Sequence, residues 1–381
     1  MIDQLSLTNF KAFRSADIPL APVTLLTGLN SSGKSSVLQA LALLQQSYDS
    51  STLSLSSHLA SPGGGLLLNG DLVELGTGLD VLHEDFARTP ESPTPLISIG
   101  LRTNRGATPT WSALYAAEQD VLALHSVPDA ALVPPSICIR RRFQYLKADR
   151  IVPATSYPKS HHQAIGLGFL GARGEHTVNY LRHHARRSLS TDPLRHPDAP
   201  TSNFLDHVVA WMQELCPGVN LEAAEIPGID AVRLSYGFDG TAGLDSSARR
   251  RPTNVGFGLT YALPIVVACL SAGPGTLILL ENPEAHLHPR GQSRMAALLA
   301  AAASAGAQLI VETHSDHVLN GLRLAVKKGP IAATDTAVHY FRRRGLQAEI
   351  VTPRIHEDGS LSDWPEGFFD EWENSLEQLL D

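Results

Sequence analysis

The hydrophobic positions follow two patterns along the chain. Near the N-terminus, Leu5, Leu7 and Phe10 are separated by polar residues, and this alternation predicts a half-buried strand. Residues 16–20 are expected to return beside it as a hairpin. Three later runs are mostly apolar, as is typical of parallel strands buried on both faces. These runs are residues 22–27, 276–280 and 308–312.

Helices and loops are predicted between these strands. Residues 36–44, residues 204–212 and an apolar segment that begins at Gly258 have the length and periodicity of helices. Residues 137–146 are strand-like. The Ser- and Gly-rich residues 47–65 predict a mobile loop. The alternation of strands and helices indicates an α/β fold.

A Gly- and Ser-rich turn joins the first buried strand to the helix that follows it. Its sequence fits the phosphate-loop pattern G-x-x-x-x-G-K-[ST] at every fixed position. The two glycines allow a positive φ and a close approach to a ligand. Successive N–H groups and the start of the helix then suit an anion. The residues predicted to bind the nucleotide are Gly28, Leu29, Asn30, Ser31, Ser32, Gly33, Lys34, Ser35 and Ser36.

Two side chains of this loop are expected to act on the phosphates directly. Lys34 supplies a positive charge for the β- and γ-phosphates, and the Ser35 hydroxyl is a ligand for Mg²⁺. Polar residues also follow the other two buried strands, at positions 281–284 and 313–316. Because ligands of open α/β sheets lie at the carboxyl ends of strands, these segments should converge on one site for ATP and Mg²⁺.

Composition narrows the class of protein. The 381 residues are 43% hydrophobic and 18% charged, which is enough apolar material for a sizeable core. A net charge of −8 argues against coating nucleic acid by bulk charge, although it allows a local basic patch. Three scattered cysteines and the lack of a secretion signal predict a cytoplasmic protein. The uncharged stretch 252–280 is interrupted by Gly and Pro, so no membrane span is expected.

In their order along the chain, these motifs resemble the ABC-type ATPases of the SMC/RecF/OLD group, and among them the compact OLD-like proteins of the AAA family. The resemblance implies an α/β fold of the ABC-type P-loop NTPase head, with a mixed or parallel core sheet, N-terminal antiparallel strands and an inserted helical lobe at roughly 155–272. It rests on residues 5–13, the phosphate loop, and residues 254–260, 281–289, 313–316 and 357–381.

The resemblance also implies roles for residues outside the phosphate loop. Glu281 takes the Walker B position and holds Mg²⁺ through water, together with Ser35. His314 is similar to the switch histidine that senses the γ-phosphate. A variant signature segment would reach ATP bound to the opposite subunit of a homodimer. Its expected contacts are Asn254, Gly256, Gly258 and Thr260.

Two departures from the family pattern affect the expected chemistry. Walker B usually ends in Asp and then Glu, the second carboxylate being the general base. Here Asn282 follows Glu281, and an amide cannot accept the proton. Glu284 is the nearest carboxylate that can replace it. The signature segment also lacks the usual Leu-Ser-Gly-Gly run. We therefore expect ATP binding with slow turnover.

Two interpretations of function follow from the resemblance. The first is an ATPase that closes around two ATP–Mg²⁺ and switches a state bound to DNA or to a partner, in DNA repair or antiphage defence. The second is a nucleotide-gated scaffold that hydrolyses little ATP and regulates a separate effector protein. A nuclease activity would need a separate chain.

Charged segments leave further alternatives open. The acidic, aromatic residues 357–381 are expected to form a segment of their own beyond a head at 1–356, docking on that head or on a partner. The arginine groups fit either a nucleic-acid patch or a solvated surface that pairs with this segment. The histidine pairs lack zinc-ligand spacing, so no structural metal is expected. The arginine groups are residues 140–142, 182 with 186–187, 249–251 and 342–344.

Overall fold

The chain divides into two units. The computed structural model describes residues 1–54, 64–86, 94–104, 106–189, 191–238, 249–345 and 347–380. The first unit combines Met1–Cys138 with Val326–Asp381, and the second unit is Ile139–Ala325. Within the described ranges, none of the helices has the length and apolar character needed to cross a bilayer.

An antiparallel sheet forms much of the first unit. Its strands are β1 (Ile2–Phe10), β2 (Phe13–Pro19), β4 (Gly65–Leu67), β5 (Leu96–Thr103), β6 (Thr110–Leu114) and β7 (Val121–Ser126). They are hydrogen-bonded in the order β2-β1-β5-β6-β7-β4. Leu7 pairs with Ala16 on one side and with Ile99 on the other. Leu5, Leu7 and Ile99 are fully buried, so the predicted alternation marks the buried face of β1.

Three further strands of the first unit hold the phosphate loop. They are β3 (Val23–Gly28), β14 (Thr336–Arg344) and β15 (Gln347–Val351). β14 runs parallel to β3 and antiparallel to β15, which gives the expected mixed pairing. The helices of this unit are α1 (Lys34–Asp49), α2 (Gly78–Val81), α3 (Pro135–Cys138) and α9 (Glu371–Leu380). The predicted loop at 47–65 starts later than expected because α1 continues to Asp49, and its residues 55–63 lie outside the described ranges.

The second unit contains the other two predicted core strands. A parallel array in the order β13-β12-β8 consists of β8 (Phe143–Leu146), β12 (Leu277–Glu281) and β13 (Gln308–Glu312). The helix α7 (Pro289–Ser304) connects β12 to β13, and α8 (Asp316–Lys328) follows β13. The strand predicted over 137–146 is wrong in its first half. Pro135 begins the short helix α3, and a 3₁₀ turn at Arg140–Arg142 precedes β8, as suits a proline at a first helical position.

The segment predicted as a helical lobe is mixed. It does contain the helices α4 (Thr177–His184), α5 (Phe204–Leu215) and α6 (Phe257–Ser271). It also contains an antiparallel sheet in the order β10-β11-β9, formed by β9 (Tyr157–Pro158), β10 (Val219–Glu225) and β11 (Ala231–Phe238). Val232, Leu234 and Tyr236 are buried at alternate positions of β11. The expected lobe therefore contains its helices and, in addition, a hairpin that buries alternate residues on one face.

The C-terminal acidic segment packs on its own unit through one aromatic side chain. Phe368 is fully buried, with its ring centroid 5.3 Å from that of Tyr340 and 5.1 Å from that of Trp364. Gly367 adopts a φ of 82°, and a Cβ there would lie 2.6 Å from the Tyr340 hydroxyl. The segment around Phe368 therefore docks on the first unit.

Candidate nucleotide-binding site

The phosphate loop requires glycine at both of its fixed glycine positions. Gly28 has a φ of 125°, and a Cβ built on it would lie 2.0 Å from the Phe341 carbonyl oxygen. Gly33 has a φ of 108°, and its Cβ would lie 2.9 Å from the Phe13 ring. Side chains rarely adopt this backbone conformation, and here they also lack space. The tight turn therefore follows directly from the glycine spacing.

Lys34 lies over the loop that precedes it. The side chain is only 3% exposed, and its Nζ donates to the carbonyls of Gly28 at 3.0 Å and Leu29 at 2.6 Å. The Ser32 hydroxyl donates to the same Leu29 carbonyl at 2.6 Å. These contacts hold the ammonium group at the concave side of the turn, where a phosphate would bind.

The start of α1 is suited to an anion. The helix begins at Lys34, its cap residue Gly33 offers no side-chain oxygen, and its first turn holds no acidic residue. The positive end of the helix dipole is thus not neutralised by a carboxylate from its own first turn. Asn30 and Ser31 are exposed at the tip of the loop, and Ser35 is half-buried. The nine predicted residues run without a break from the end of β3 into the first turn of α1.

Glu281 ends β12 in the second unit and is held by two donors. Its Oε1 accepts a short hydrogen bond from the Tyr145 hydroxyl, and its Oε2 accepts one from the Ala148 N–H at 2.8 Å. Burial raises the pKa of Tyr145 well above its ordinary value, and the Glu281 charge adds to this shift, so the phenol keeps its proton. A carboxylate oxygen has more than one acceptor site, so binding to a water of hydrated Mg²⁺ is compatible with both bonds.

Arg150 fixes the backbone just after β12. It is fully buried, and it donates to the carbonyls of Glu281 at 2.6 Å and Asn282 at 2.7 Å, and to that of Lys147 at 3.1 Å. Burial lowers the pKa of Arg150 to about 10, opposed by the charges of Glu284, Tyr261 and Glu281. The group therefore stays charged at neutral pH.

Glu284 joins the two polar segments that follow β12 and β13. Its Oε2 accepts from the Thr313 hydroxyl at 2.8 Å, and its Oε1 accepts from the His314 N–H at 2.9 Å. The Asn282 N–H also donates to the Glu312 carbonyl at 2.8 Å. The structure thus brings together Glu281, Asn282, Glu284 and His314, as the strand-end argument predicted within this unit.

Sequence reasoning missed the residues that hold this cluster. Tyr145, Arg150 and Thr313 each bond a strand-end carboxylate or carbonyl. No local pattern marks Tyr145 or Arg150, because their partners lie more than a hundred residues away. Thr313 belongs to the predicted polar segment 313–316, but only its polar side chain indicated a role in the site.

The residues of the predicted signature segment differ in their exposure to solvent. Asn254 and Gly256 are exposed and Gly258 is half-buried, whereas Thr260 is fully buried one turn inside α6. A Cβ on Gly258 would lie 2.4 Å from the His286 carbonyl oxygen, so glycine allows α6 to approach the loop after β12. A ligand can therefore reach the first three positions from solvent, but it cannot reach Thr260.

One group of potential metal ligands occurs among the described residues. His196, Asp198 and Glu214 present ligand atoms within 4.8 Å of one another. Arg294 pairs with Glu214 at 3.2 Å, and the Asp198 N–H donates to the His196 ring at 3.2 Å. These contacts within the protein account for the proximity of the three side chains. Their spacing along the chain is not that of a zinc site.

Three family profiles match parts of the chain, and one of them covers the phosphate loop. A family profile described as "AAA ATPase domain" matches residues 1–87. A profile described as "AAA domain, putative AbiEii toxin, Type IV TA system" matches residues 187–320. The profile "Protein of unknown function (DUF3696)" matches residues 331–379.

A curated protein also matches part of the chain in sequence. The chain is 26% identical over 217 residues to the DNA replication and repair protein RecF of Renibacterium salmoninarum. The match covers 56% of this chain and 48% of that protein, so the chain spans about half the length of this relative.

Solved SMC head domains are distant structural neighbours. The SMC head domain from Thermotoga maritima is 14% identical, with a TM-score of 0.45 over 92% of this chain and 98% of that chain. The Smc head with an extended coiled coil, bound to the C-terminal domain of ScpA, from Pyrococcus furiosus is 13% identical. Its TM-score is 0.49 over 100% and 99% of the two chains. These likenesses are too distant to bear on function.

The chain is similar to P-loop ATPases in its phosphate loop and in the two AAA profiles that match it. The profile matches and the similarity to RecF support its assignment to the ABC/SMC/RecF-type ATPases, with a DUF3696 region at its C-terminal end. The predicted α/β fold class is confirmed, and the lobe carries an additional antiparallel sheet. The two AAA profiles support ATP binding and ATPase activity.

Proposed function

We propose that the protein is a Mg²⁺-dependent ATPase that forms a homodimer around ATP. The observation that carries this proposal is the phosphate-loop cradle. It combines two glycines at positive φ, a helix start without an acidic cap, and the buried Lys34 ammonium. These features suit the β- and γ-phosphates of a nucleoside triphosphate.

Within the second unit, Glu281 and Glu284 are the carboxylates proposed to act in the ATPase. Glu281 ends the buried parallel strand β12 and Glu284 lies three residues later, at the strand end where ligands of such sheets bind. Ser35 and, through water, Glu281 are the proposed holders of Mg²⁺. When bound, Mg²⁺ would neutralise charge on the phosphates. Glu284 is the proposed general base, and its two donors orient it beside His314.

Slow turnover is part of the proposal. Asn282 stands where a carboxylate would be best placed to activate water, and its amide cannot accept a proton. Glu284 lies two residues further along the chain, after the left-handed backbone of Asn282, whose φ is 44°. A site of this kind suits a switch that holds its ATP-bound state for a long time.

The signature segment supports dimerisation. Asn254 and Gly256 are exposed at the start of α6, and the Phe257 side chain is 50% exposed beside them. An exposed aromatic residue next to small polar groups is typical of an interface. We propose that Asn254, Gly256 and Gly258 contact ATP held by the partner subunit. Thr260, whose hydroxyl is buried, is not part of that contact.

DNA is the proposed class of partner for the switch. The similar relative is named a DNA replication and repair protein, which supports this choice. The second candidate function is a nucleotide-gated regulator of a separate effector protein, favoured by Asn282. An OLD-like role in antiphage defence fits either candidate.

Lys34→Ala tests the ATP site. Removing the ammonium group should abolish measurable ATP binding, because the loop loses its charge on the β- and γ-phosphates. Binding of labelled ATP is the measurement, and Lys11→Ala in the preceding hairpin is a matched control for loss of a lysine. In the wild type, a non-hydrolysable ATP analogue with Mg²⁺ should raise the mass seen by light scattering. ATP binding by Lys34→Ala at the wild-type affinity would refute the proposal.

Two substitutions separate the ATPase from the regulator. If Glu284 is the base, Glu284→Gln should reduce steady-state phosphate release by about 10²–10⁴-fold with ATP affinity unchanged. Asn282→Glu should leave that rate unchanged or raise it. For the regulator, wild type and Glu284→Gln would share one background rate, with or without DNA. Clear, unchanged turnover in Glu284→Gln would exclude Glu284 as the base.

A further inference from the structure

A cavity lies within the second unit, at the opposite strand ends from the Walker B residues. It has a volume of about 220 Å³ and is lined by Arg141 and Gln144 at the start of β8 and by Thr276 just before β12. Glu281, at the carboxyl end of β12, is five strand residues away, which is roughly 16 Å. This cavity is therefore separate from the Walker B residues.

The charge of the lining is positive. Arg141 lies at one side and Arg187, just after α4, at another, and none of the described lining residues is acidic. Across the described part of the chain, neither guanidinium has a carboxylate within ion-pair distance. Other arginines nearby do have partners. Arg182 pairs with Glu225 at 3.0 Å, and Arg173 pairs with Asp149 at 3.0 Å.

The two arginines are positioned by the surrounding structure. The Arg141 Nε donates to the Gly166 carbonyl at 2.7 Å, which directs the rest of the guanidinium fork. The Arg187 guanidinium lies 5.1 Å from the centroid of the Phe204 ring. Such stacking orients a guanidinium and leaves its N–H donors available at the edge.

Gln144 and His184 add polar groups to the lining. Gln144 is 4% exposed, and its amide donates to the Gly168 carbonyl at 2.6 Å and accepts from the Leu170 N–H at 3.2 Å. Burial lowers the pKa of His184 to about 4, and the charges of Arg187 and His183 add to this shift. Its ring is therefore neutral at pH 7 and can both donate and accept a hydrogen bond.

We propose that this cavity binds a phosphomonoester of the size of a nucleoside 5′-monophosphate. Two arginine forks without a local carboxylate suit a dianionic phosphate, which they can bind through paired N–H donors. The volume is below that of pockets for drug-sized ligands, so it selects a small ligand. Ile165 and the Tyr180 ring also line the cavity and offer apolar contact for a sugar or base. The ligand is a free mononucleotide or the 5′-phosphorylated end of a nucleic-acid strand.

The test uses full-length protein that carries Lys34→Ala, so that the phosphate loop is not the site measured. Calorimetry with AMP, and fluorescence anisotropy with a short single strand bearing a 5′-phosphate, are compared with adenosine and the 5′-hydroxyl strand. At least one phosphorylated probe should bind and its unphosphorylated counterpart should not. Binding of AMP alone identifies a free nucleotide, and binding of the phosphorylated strand identifies a strand end.

Neighbouring arginines provide matched controls. Arg141→Gln and Arg187→Gln should each weaken binding by about tenfold or more, as expected for loss of a charged hydrogen-bond donor. Arg142→Gln and Arg186→Gln remove adjacent exposed charges that do not line the cavity, and they should change affinity by no more than about twofold. Equal melting temperatures establish that all four variants fold. Absence of binding by every phosphorylated probe, or equal weakening by all four substitutions, would overturn the proposal.

Discussion

Replacing Arg150 with methionine should destabilise the second unit at its Walker B end. The guanidinium is fully buried and bonds the carbonyls of Lys147, Glu281 and Asn282. Methionine fills a similar volume but offers no donor. Arg150→Met therefore leaves three carbonyls without this donor, while it also removes a buried charge.

The two effects have opposite signs, and both can be estimated. Three hydrogen bonds to a charged group are worth about 6 kcal/mol at roughly 2 kcal/mol each. The lowered pKa of Arg150, about 10 against an ordinary 12.5, corresponds to a net cost of about 3 kcal/mol for holding the charge there, with burial partly offset by the nearby carboxylates. The expected loss in the free energy of unfolding is thus about 3 kcal/mol.

Urea unfolding followed by circular dichroism measures this loss. Arg173→Met is the matched control, because Arg173 lies at the surface and pairs with Asp149 at 3.0 Å. An exposed pair of this kind contributes about 0–1 kcal/mol. Arg150→Lys, which keeps the charge but not the forked donors, should fall between the two. A loss for Arg150→Met no larger than that of the control would refute the reasoning.

Two further predictions concern the C-terminal segment and the pH dependence of stability. Phe368→Ala should release the acidic segment from Tyr340 and speed its proteolysis, whereas Trp364→Ala, at a side chain 44% exposed, should have a smaller effect; equal protection in both variants would contradict the docking. His184 has a folded pKa of about 4, below that of an unfolded histidine, so the unfolded chain binds the proton first. Its contribution to stability is therefore lost as the pH falls from about 6.5 towards 4. The melting temperature of His184→Gln should fall less steeply than that of wild type over this window, and identical slopes would exclude this role for His184.

The parts of the fold that were predicted depend on local patterns. Alternation in β1 and the continuous apolar runs at β3, β12 and β13 are properties of a few adjacent residues. The phosphate loop is equally local, since the positive φ of Gly28 and Gly33 follows from their spacing. The strand ends then predicted the contact between Glu284 and the residues after β13.

The parts that were missed depend on distant partners. The β10–β11 hairpin lies between helices, and neither of its strands has the continuous apolar run that marked β3, β12 and β13. Arg150 has no local pattern at all. Its role arises only when folding places it against carbonyls 131 and 132 residues away, which the sequence alone does not indicate.

Replacing Asn282 with glutamate, the residue that the family pattern has at this position, is not a neutral change because of the backbone conformation there. Asn282 has a φ of 44°, in the left-handed region that Asn and Asp tolerate better than other side chains. A glutamate there restores a carboxylate but strains the turn by about 1 kcal/mol or more. Asn282→Asp restores a carboxylate without that strain. If geometry limits the base, Asn282→Asp should raise phosphate release with little loss of stability, while Asn282→Glu should lower the melting temperature. Equal melting temperatures for the two variants would show that the left-handed backbone does not restrict which side chain is tolerated at position 282.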